Sequence, residues 1–486
     1  VLELLEDRAV PSTFTVTNLF DSGSGSLRQA ILNGNATPNE ADTITFKSGL
    51  TGTINLASIL PDLSTNIDIE GPGANLLAVR RDTGGNYRIF KVNSGATVTL
   101  SGLTISNGAL AGDSNDGAGI ENTGTLTLNQ STVSGNYNND QGGGIDNTGT
   151  LTLNDSTVSN NVSSSGSGIR NRNTGTLTLI NSTVSGNSGL DWSWGGGILN
   201  EGTATVTNST ISGNYVADSG GGILNYGTLK LTNSTVSGNL GDGGGGGVLN
   251  PGTATVINCT ISGNSSAWLY GPAGGISNGG KLDLYNTILS GNVMYDDLRG
   301  VGKTPDDFDG EINSLGHNLI GSGDTTYSGF NPTDLLNVDP LLGPLHGNGG
   351  PSLTHELLAG SPAIDAGDST NAPVTDQRGV PRPQGLAPDI GAYELQSQLG
   401  TVSTTTNLAS SVNPSVYSQT VTFTATVTPN PPGTGTPTGT VTFTDGTTIV
   451  GTGALNSSAI ATFSTLALGM GTHSITAVYN GDSTFR

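Results

Sequence analysis

The side chains able to do acid–base chemistry are sparse through the middle of this chain. Between Ile120 and Asn292 the only bases are Arg170, Arg172, Lys230 and Lys281, and the first histidine is His317. The acids of that stretch are Glu121, Asp140, Asp146, Asp155, Asp191, Glu201, Asp218, Asp242 and Asp283. Cleaving a polysaccharide needs carboxylates clustered with a base or a charge-stabilising cation. Glu121, Asp146 and Arg170 form the one trio whose spacing stacks them in a column. A solvated column of mixed charge accounts for that trio, and no catalytic residue is assigned. His317, in "NSLGHNLIG", reads as structural. The run "DDFDGE" (306–311) offers Asp306, Asp307 and Asp309 as candidate Ca2+ ligands, the hard oxygens that ion takes. Its spacing is not that of an EF-hand, and the competing reading is a solvated acidic loop.

The aromatics are placed more sharply. Trp192, Trp194 and Trp268 all fall between an S-G-N and the next G-G-x-I, as do Tyr137, Tyr215 and Tyr270. These six are the candidate ligand-binding residues. Insertions on one edge of a repeat array often form its binding face, and flat exposed rings suit sugar stacking. The alternative is that the rings cover the core beneath longer loops.

What positions them is a repeat. The final Asn of S-G-N (S-N-N in the second copy) recurs at 136, 161, 187, 214, 239, 264 and 292, at intervals of 25 to 28 residues. The aliphatic residue after the glycines keeps the same rhythm: Ile120, Ile145, Ile169, Ile198, Ile223, Val248 and Ile276. Each unit holds three short pieces that alternate apolar with polar, as in "GGILN", "TLKLTN" and "STVSGN", the period-2 sign of strands with one buried face. Gly and Asn between them suit left-handed bends. Three strands and three bends in about 25 residues predict one coil of a parallel β-helix, with about ten coils in a rod roughly 50 Å long. Repeated polar residues then become columns. Asn122, Asn147, Asn200, Asn225, Asn250 and Asn278 stack at one bend. Asn181, Asn208, Asn233, Asn258 and Asn286 stack at another, headed by Gln130 and Asp155, with ladder hydrogen bonds along the axis. Leu126, Leu151, Leu177, Leu229 and Leu282 fill the core, thinned by Ala204 and Ala254, and Cys259 joins the column of Ser182, Ser209 and Ser234.

The G-G-G-I-x-N and S-T-V-S-G-N units resemble the repeats of bacterial right-handed parallel β-helix surface proteins, including the polymorphic outer-membrane-protein type, over about 90–292. The opening "FTVTNLFDSGSGSLRQAI" is similar to the start of many such secreted proteins, which carry a Cys where this chain has Gly25. "LELLEDRAVPS" (2–12) resembles an N-terminal signature of bacterial surface proteins. "DPLLGPLHGNGG", "GSPAIDAGD", "TDQRGVPRPQG" and "PDIGAYE" (339–394) are similar to a choice-of-anchor closing module. "TVTFTATVTP" and "GTVTFTDGTTIVGTGAL" resemble bacterial Ig-like repeats.

The expected organisation is therefore all-β: a right-handed parallel β-helix followed by an Ig-like sandwich. Its parts are an N-terminal signature or linker (1–12), a cap with a short helix (13–45), the β-helix (46–292), an acidic closing module (293–396) and an Ig-like domain (397–486) that reads as truncated. The closing module holds fifteen acids against four bases, about half of the net charge of −22. That charge lacks the basic stripe nucleic-acid binding needs. One cysteine excludes an intrachain disulfide, and no apolar run approaches the ~18 residues of a membrane span. The expectation is a secreted or cell-surface structural, adhesin-like protein that contacts polysaccharide through the aromatic edge. A carbohydrate-active β-helix enzyme and a passive stalk are the alternatives.

Overall fold

The computed structural model describes residues 11–37, 41–112, 116–267, 273–295, 303–322, 329–396, 402–431, 434–446, 448–482 and 484–485. The chain forms two compact units, 1–395 and 396–486. The first is a parallel β-solenoid of about eleven coils, roughly 26 residues each.

A full coil has four strands, not three. In one coil they are Ile198–Asn200, Thr203–Thr207, Thr210–Ser212 and Tyr215–Val216. The fourth, just after S-G-N, is two residues long in most coils, too short to show alternation. The strands pair coil to coil in two sheets of twelve and two of nine. Coil pairing also reaches past 46–292. Thr13–Val16 pairs with Ala41–Phe46, and Leu319–Ile320 with Leu335–Leu336. The cap helix, Leu27–Gly34, starts at Ser26, whose hydroxyl accepts from Gln29 N, and buries Leu27, Ala30 and Ile31.

The inward columns run as the alternation predicts. Leu126, Leu151, Leu177, Ala204, Leu229, Ala254 and Leu282 are in register and at most 2% exposed. Cys259 is buried in the serine column, its thiol pushed up to about 12 by that burial.

Two amide ladders lock the coils. The first runs from Asn122 through Asn147, Asn171, Asn200, Asn225 and Asn250 to Asn278, each Nδ2 donating to the next Oδ1 at 2.6–2.8 Å. Asn171, absent from the expected column, supplies its missing rung. The second ladder is built from the S-G-N asparagines themselves. Asn214 Oδ1 accepts from Asn187 N (3.0 Å) and Nδ2 (2.9 Å), and its Nδ2 donates to Val184 O (3.0 Å) and Asn239 Oδ1 (2.9 Å). Its side-chain amide is thus fully hydrogen-bonded while buried. The glycines pack against this ladder. A Cβ on Gly197 would sit 2.5 Å from Gly222 O and 2.9 Å from Asn214 Nδ2.

The column expected at Asn208, Asn233 and Asn258 forms one axial bond, Asn286 Nδ2 to Asn258 Oδ1 at 3.3 Å, and not a continuous ladder. Gln130, Asp155, Asn181, Asn208, Asn233, Asn258 and Asn286 all have φ between 47° and 53°. Asn208 Oδ1, Asn233 Oδ1 and Asn258 Nδ2 are buried without a protein partner. The corner selects residues that tolerate left-handed backbone, which Asn does better than most. Hydrogen bonding along the axis is not what fixes the residue type there.

After the last coil the chain runs back along the rod. Gln377 Nε2 donates to Thr210 Oγ1 (3.1 Å), while Thr235 Oγ1 donates to Gln377 Oε1 (2.7 Å). Ala392 N donates to Thr260 Oγ1 (3.0 Å) and Ser352 Oγ to Asn208 O (2.8 Å). Thr210, Thr235 and Thr260 are buried as a result, whereas Thr132, Thr157 and Thr183 on earlier coils are only half-buried. The "TDQRGVPRPQG" and "PDIGAYE" strings supply an ionic cluster. Arg382 pairs with Glu394 at 2.8 Å, both side chains 1% exposed, and Arg378 pairs with Asp376 at 2.7 Å while lying 3.6 Å over the Tyr393 ring.

In the second unit, Thr404–Ser410, Val421–Pro429 and Ile460–Thr465 form one antiparallel sheet, and Thr448–Ala454, Thr440–Asp445 and Ile475–Tyr479 another. Val421, Phe423, Ala425, Val427, Val441, Phe443 and Ala461 fill the space between them.

Two stability outcomes follow. Asn214→Gly strands the two donors of Asn187 and is expected to cost about 2–4 kcal/mol, against a few tenths for Asn208→Gly at its positive φ; urea unfolding followed by circular dichroism separates them, and equal costs would contradict the ladder. Glu394→Gln leaves Arg382 buried without its counter-ion and is expected to cost about 3–5 kcal/mol in the same assay.

Candidate functional site

The most distinctive surface of the solenoid is built where one fourth strand grows from two residues to seven. Ser188–Trp194 pairs with Val162–Ser165, but the register jumps: Ser163 faces Gly189 and Ser165 faces Trp194. The intervening residues leave the ladder as an arm, with Trp192 at φ 58°. Ser193 anchors it from beneath, accepting from Ala217 N at 3.2 Å. The arm holds Trp192 81% exposed and Trp194 49% exposed, the latter's Nε1 donating to Asp218 Oδ2 at 2.7 Å.

Beside the arm lies a groove of about 290 Å³. Arg170, Leu199 and Leu224 occupy one register column on three successive coils. Leu199 and Leu224 make its apolar floor, at 4% and 1% exposure. Glu201 and Tyr226 each follow a ladder asparagine and form the next column of lining residues, Tyr226 59% exposed. Arg170 is gripped by Glu201, with Nη2–Oε2 at 3.2 Å and Nε–Oε2 at 3.3 Å. Asp140, Gln141 and Ser164 complete one side, and Trp192 and Trp194 the other.

The arm divides the expected aromatic edge. Trp192 and Trp194 line this groove. Tyr137 and Tyr215 line a shallower depression of about 590 Å³ with Leu190 and Asp191. Tyr215 donates to Asp242 Oδ2 (3.2 Å), and burial together with that carboxylate raises its pKa. Trp268 and Tyr270 lie outside the described residues. Sequence reading missed Tyr226 and the pairing of Arg170 with Glu201. Both Glu201 and Tyr226 stand immediately after an I-L-N triplet, a signal masked by attention to the segment after S-G-N.

The charged column stacks as expected but is not solvated. Glu121, Asp146 and Arg170 are neighbours in register. Glu121 pairs with Arg88 and with Lys91 (3.2 Å), and Arg172 with Asp116 and Asp146 (2.9 Å). Side-chain exposure falls to 3% at Asp146. Burial pushes the Asp146 carboxyl up to about 6, against the pull of Arg172.

Both carboxylate oxygens of Asp307, the central residue of the expected calcium set, already accept hydrogen bonds. Asp307 Oδ1 accepts from Asn292 N (2.7 Å) and Nδ2 (2.8 Å), and Oδ2 accepts from Ser322 N (2.7 Å) and Oγ (2.9 Å). It is the terminal acceptor of the second ladder. Asp309 lies in the column of Ser277, and Asp306 N bonds Asn292 O. Among the described residues no three acids, histidines or cysteines gather as a metal site. His317 is structural, its Nδ1 at 2.9 Å from Ala366 O.

Residues 408–486 match the bacterial Ig-like domain (group 3) family. No curated protein and no solved structure shows significant similarity to this chain. A parallel β-solenoid joined to a bacterial Ig-like domain fits a surface structural protein. Among the described residues no helix is long and apolar enough to cross a membrane.

The Asp146 pKa has a definite sign. The folded state holds this proton more tightly than the unfolded chain, so its stabilising contribution is full below about pH 4 and is lost as pH rises through about 6. The parent is expected to lose on the order of 2–3 kcal/mol between pH 4 and pH 7 relative to Asp146→Asn. Unfolding titrations of both proteins check it, and parallel pH profiles would refute it.

Proposed function

We propose that this protein is a non-enzymatic structural element of the bacterial exterior that binds polysaccharide through the groove beside the Trp192–Trp194 arm. The observation that carries the reading is the arm itself. Two indole rings and the Tyr226 phenol ring border a groove that also holds a paired cation and carboxylate. Sugars present an apolar C–H face and a rim of hydroxyls. Rings take the first, and paired donors and acceptors take the second. Because the floor is a register column, an extended glycan lies along the rod axis and meets one set of side chains per coil, ~4.8 Å apart. The solenoid supplies rigidity. An arm anchored by Ser193 and Asp218 presents its rings without a large ordering cost on binding.

A glycan array is the direct test. The parent is expected to bind one glycan class, and Trp192→Ala/Trp194→Ala, folded by circular dichroism, to lose about 30-fold or more in affinity, the size of a binding hot spot. Binding unchanged in the variant would remove the groove from the reading.

A further inference from the structure

The charges around the groove narrow its ligand further, an inference that rests on the polysaccharide reading above. Every cation beside it is already matched. Arg170 is held by Glu201, Arg172 by Asp146 and Asp116, and Arg88 and Lys91 by Glu121. Among the described residues Arg170 is the only cation lining the groove, and two carboxylates, Asp140 and Glu201, line it with Arg170. A third, Asp218, fixes the Trp194 ring from behind. The Arg170 nitrogen that Glu201 leaves without a partner, Nη1, is buried, so a uronate or sulfate entering this space must take Arg170 from Glu201. That exchanges one anionic partner for another and leaves Glu201 unpaired beside the newcomer. Asp140 and the chain's net charge of −22 add repulsion of the same sign.

Neutral sugars meet no such exchange. A hydroxyl both donates and accepts, so adjacent hydroxyls can bridge the outer edge of the Arg170–Glu201 pair without breaking it. Gln141, whose Oε1 accepts from Arg172, adds its Nε2 donor, and Ser164, whose hydroxyl donates to Asn139 O, adds an acceptor. We infer that the groove selects uncharged polysaccharides and rejects uronic and sulfated ones, with Glu201 as the discriminating residue.

Affinity electrophoresis through gels holding single polysaccharides tests this on the full chain. The neutral probes are hydroxyethylcellulose, xyloglucan, galactomannan and dextran. The acidic probes are carboxymethylcellulose, polygalacturonate, alginate and dextran sulfate, each run with and without calcium. The expected result is retardation of the parent by at least one neutral probe and by no acidic one. Glu201→Gln, which frees the Arg170 guanidinium, is expected to gain at least about tenfold in retardation by acidic probes. Acidic retardation of the parent equal to the neutral, or appearing only with calcium, overturns the selectivity. A Glu201→Gln variant, folded by circular dichroism, that gains nothing overturns the role of the ion pair. No retardation by any probe refutes the polysaccharide reading itself, a different outcome from either.

Discussion

The solenoid depends on a hydrogen bond repeated along a dry line: the side-chain amide of one S-G-N asparagine received by the next. A parallel strand of two or three residues has too few ladder bonds to fix its own register. The buried amide supplies the constraint. Its oxygen takes two donors from the preceding coil, and its nitrogen gives two bonds back into the array, so a slip of one residue leaves four polar groups unpaired without water. The glycines before each I-x-N follow from this, because the ladder and the neighbouring carbonyls occupy the space a Cβ needs. The polar, repetitive wording of the chain is the covalent record of that packing.

With the inner wall fixed, variation moves outward. The fourth strand tolerates length change because only one or two of its residues enter the ladder. One coil uses that freedom to raise the Ser188–Trp194 arm. The serine and threonine columns are put to another use. Where the returning segment covers them they bind Gln377, Leu353, His355 and Ala392, and the segment's own motif residues are spent on a buried ionic cluster rather than on chemistry. Strings such as R-G-V-P-R and G-A-Y-E are thus read as packing instructions. Glu394 and Arg382 have almost no solvent contact.

The fold was largely legible because strict periodicity converts sequence position into spatial column. Ile120, Leu126 and Val133 had to lie inward, and Cys259 had to share a column with Ser234. What was not legible has local causes. A two-residue strand carries no period. Asn at a left-handed corner and Asn in a ladder look alike, so the ladder expected at Asn208 is found at Asn214. Asp307 read as a ligand because an acid in an acidic run gives no hint that the last rung of an amide ladder lies within reach. In the groove, the tryptophans were visible by type, but Tyr226 and Glu201 reach it from a different column, the one that follows each I-L-N triplet.

Because the second ladder has a chemical direction, it also has a beginning and an end of different kinds. It opens on Gly108, whose backbone N–H donates to Asn136 Oδ1 at 2.8 Å, and it closes on Asp307, a carboxylate that only accepts. Every rung between has the same requirements above and below. A coil duplicated or deleted between those two residues therefore meets neighbours that already suit it, and neither terminus has to be reinvented. Rod length in such a chain is a quantity that recombination can change in whole steps, because the two ends of the ladder keep their chemistry whatever the number of rungs between them.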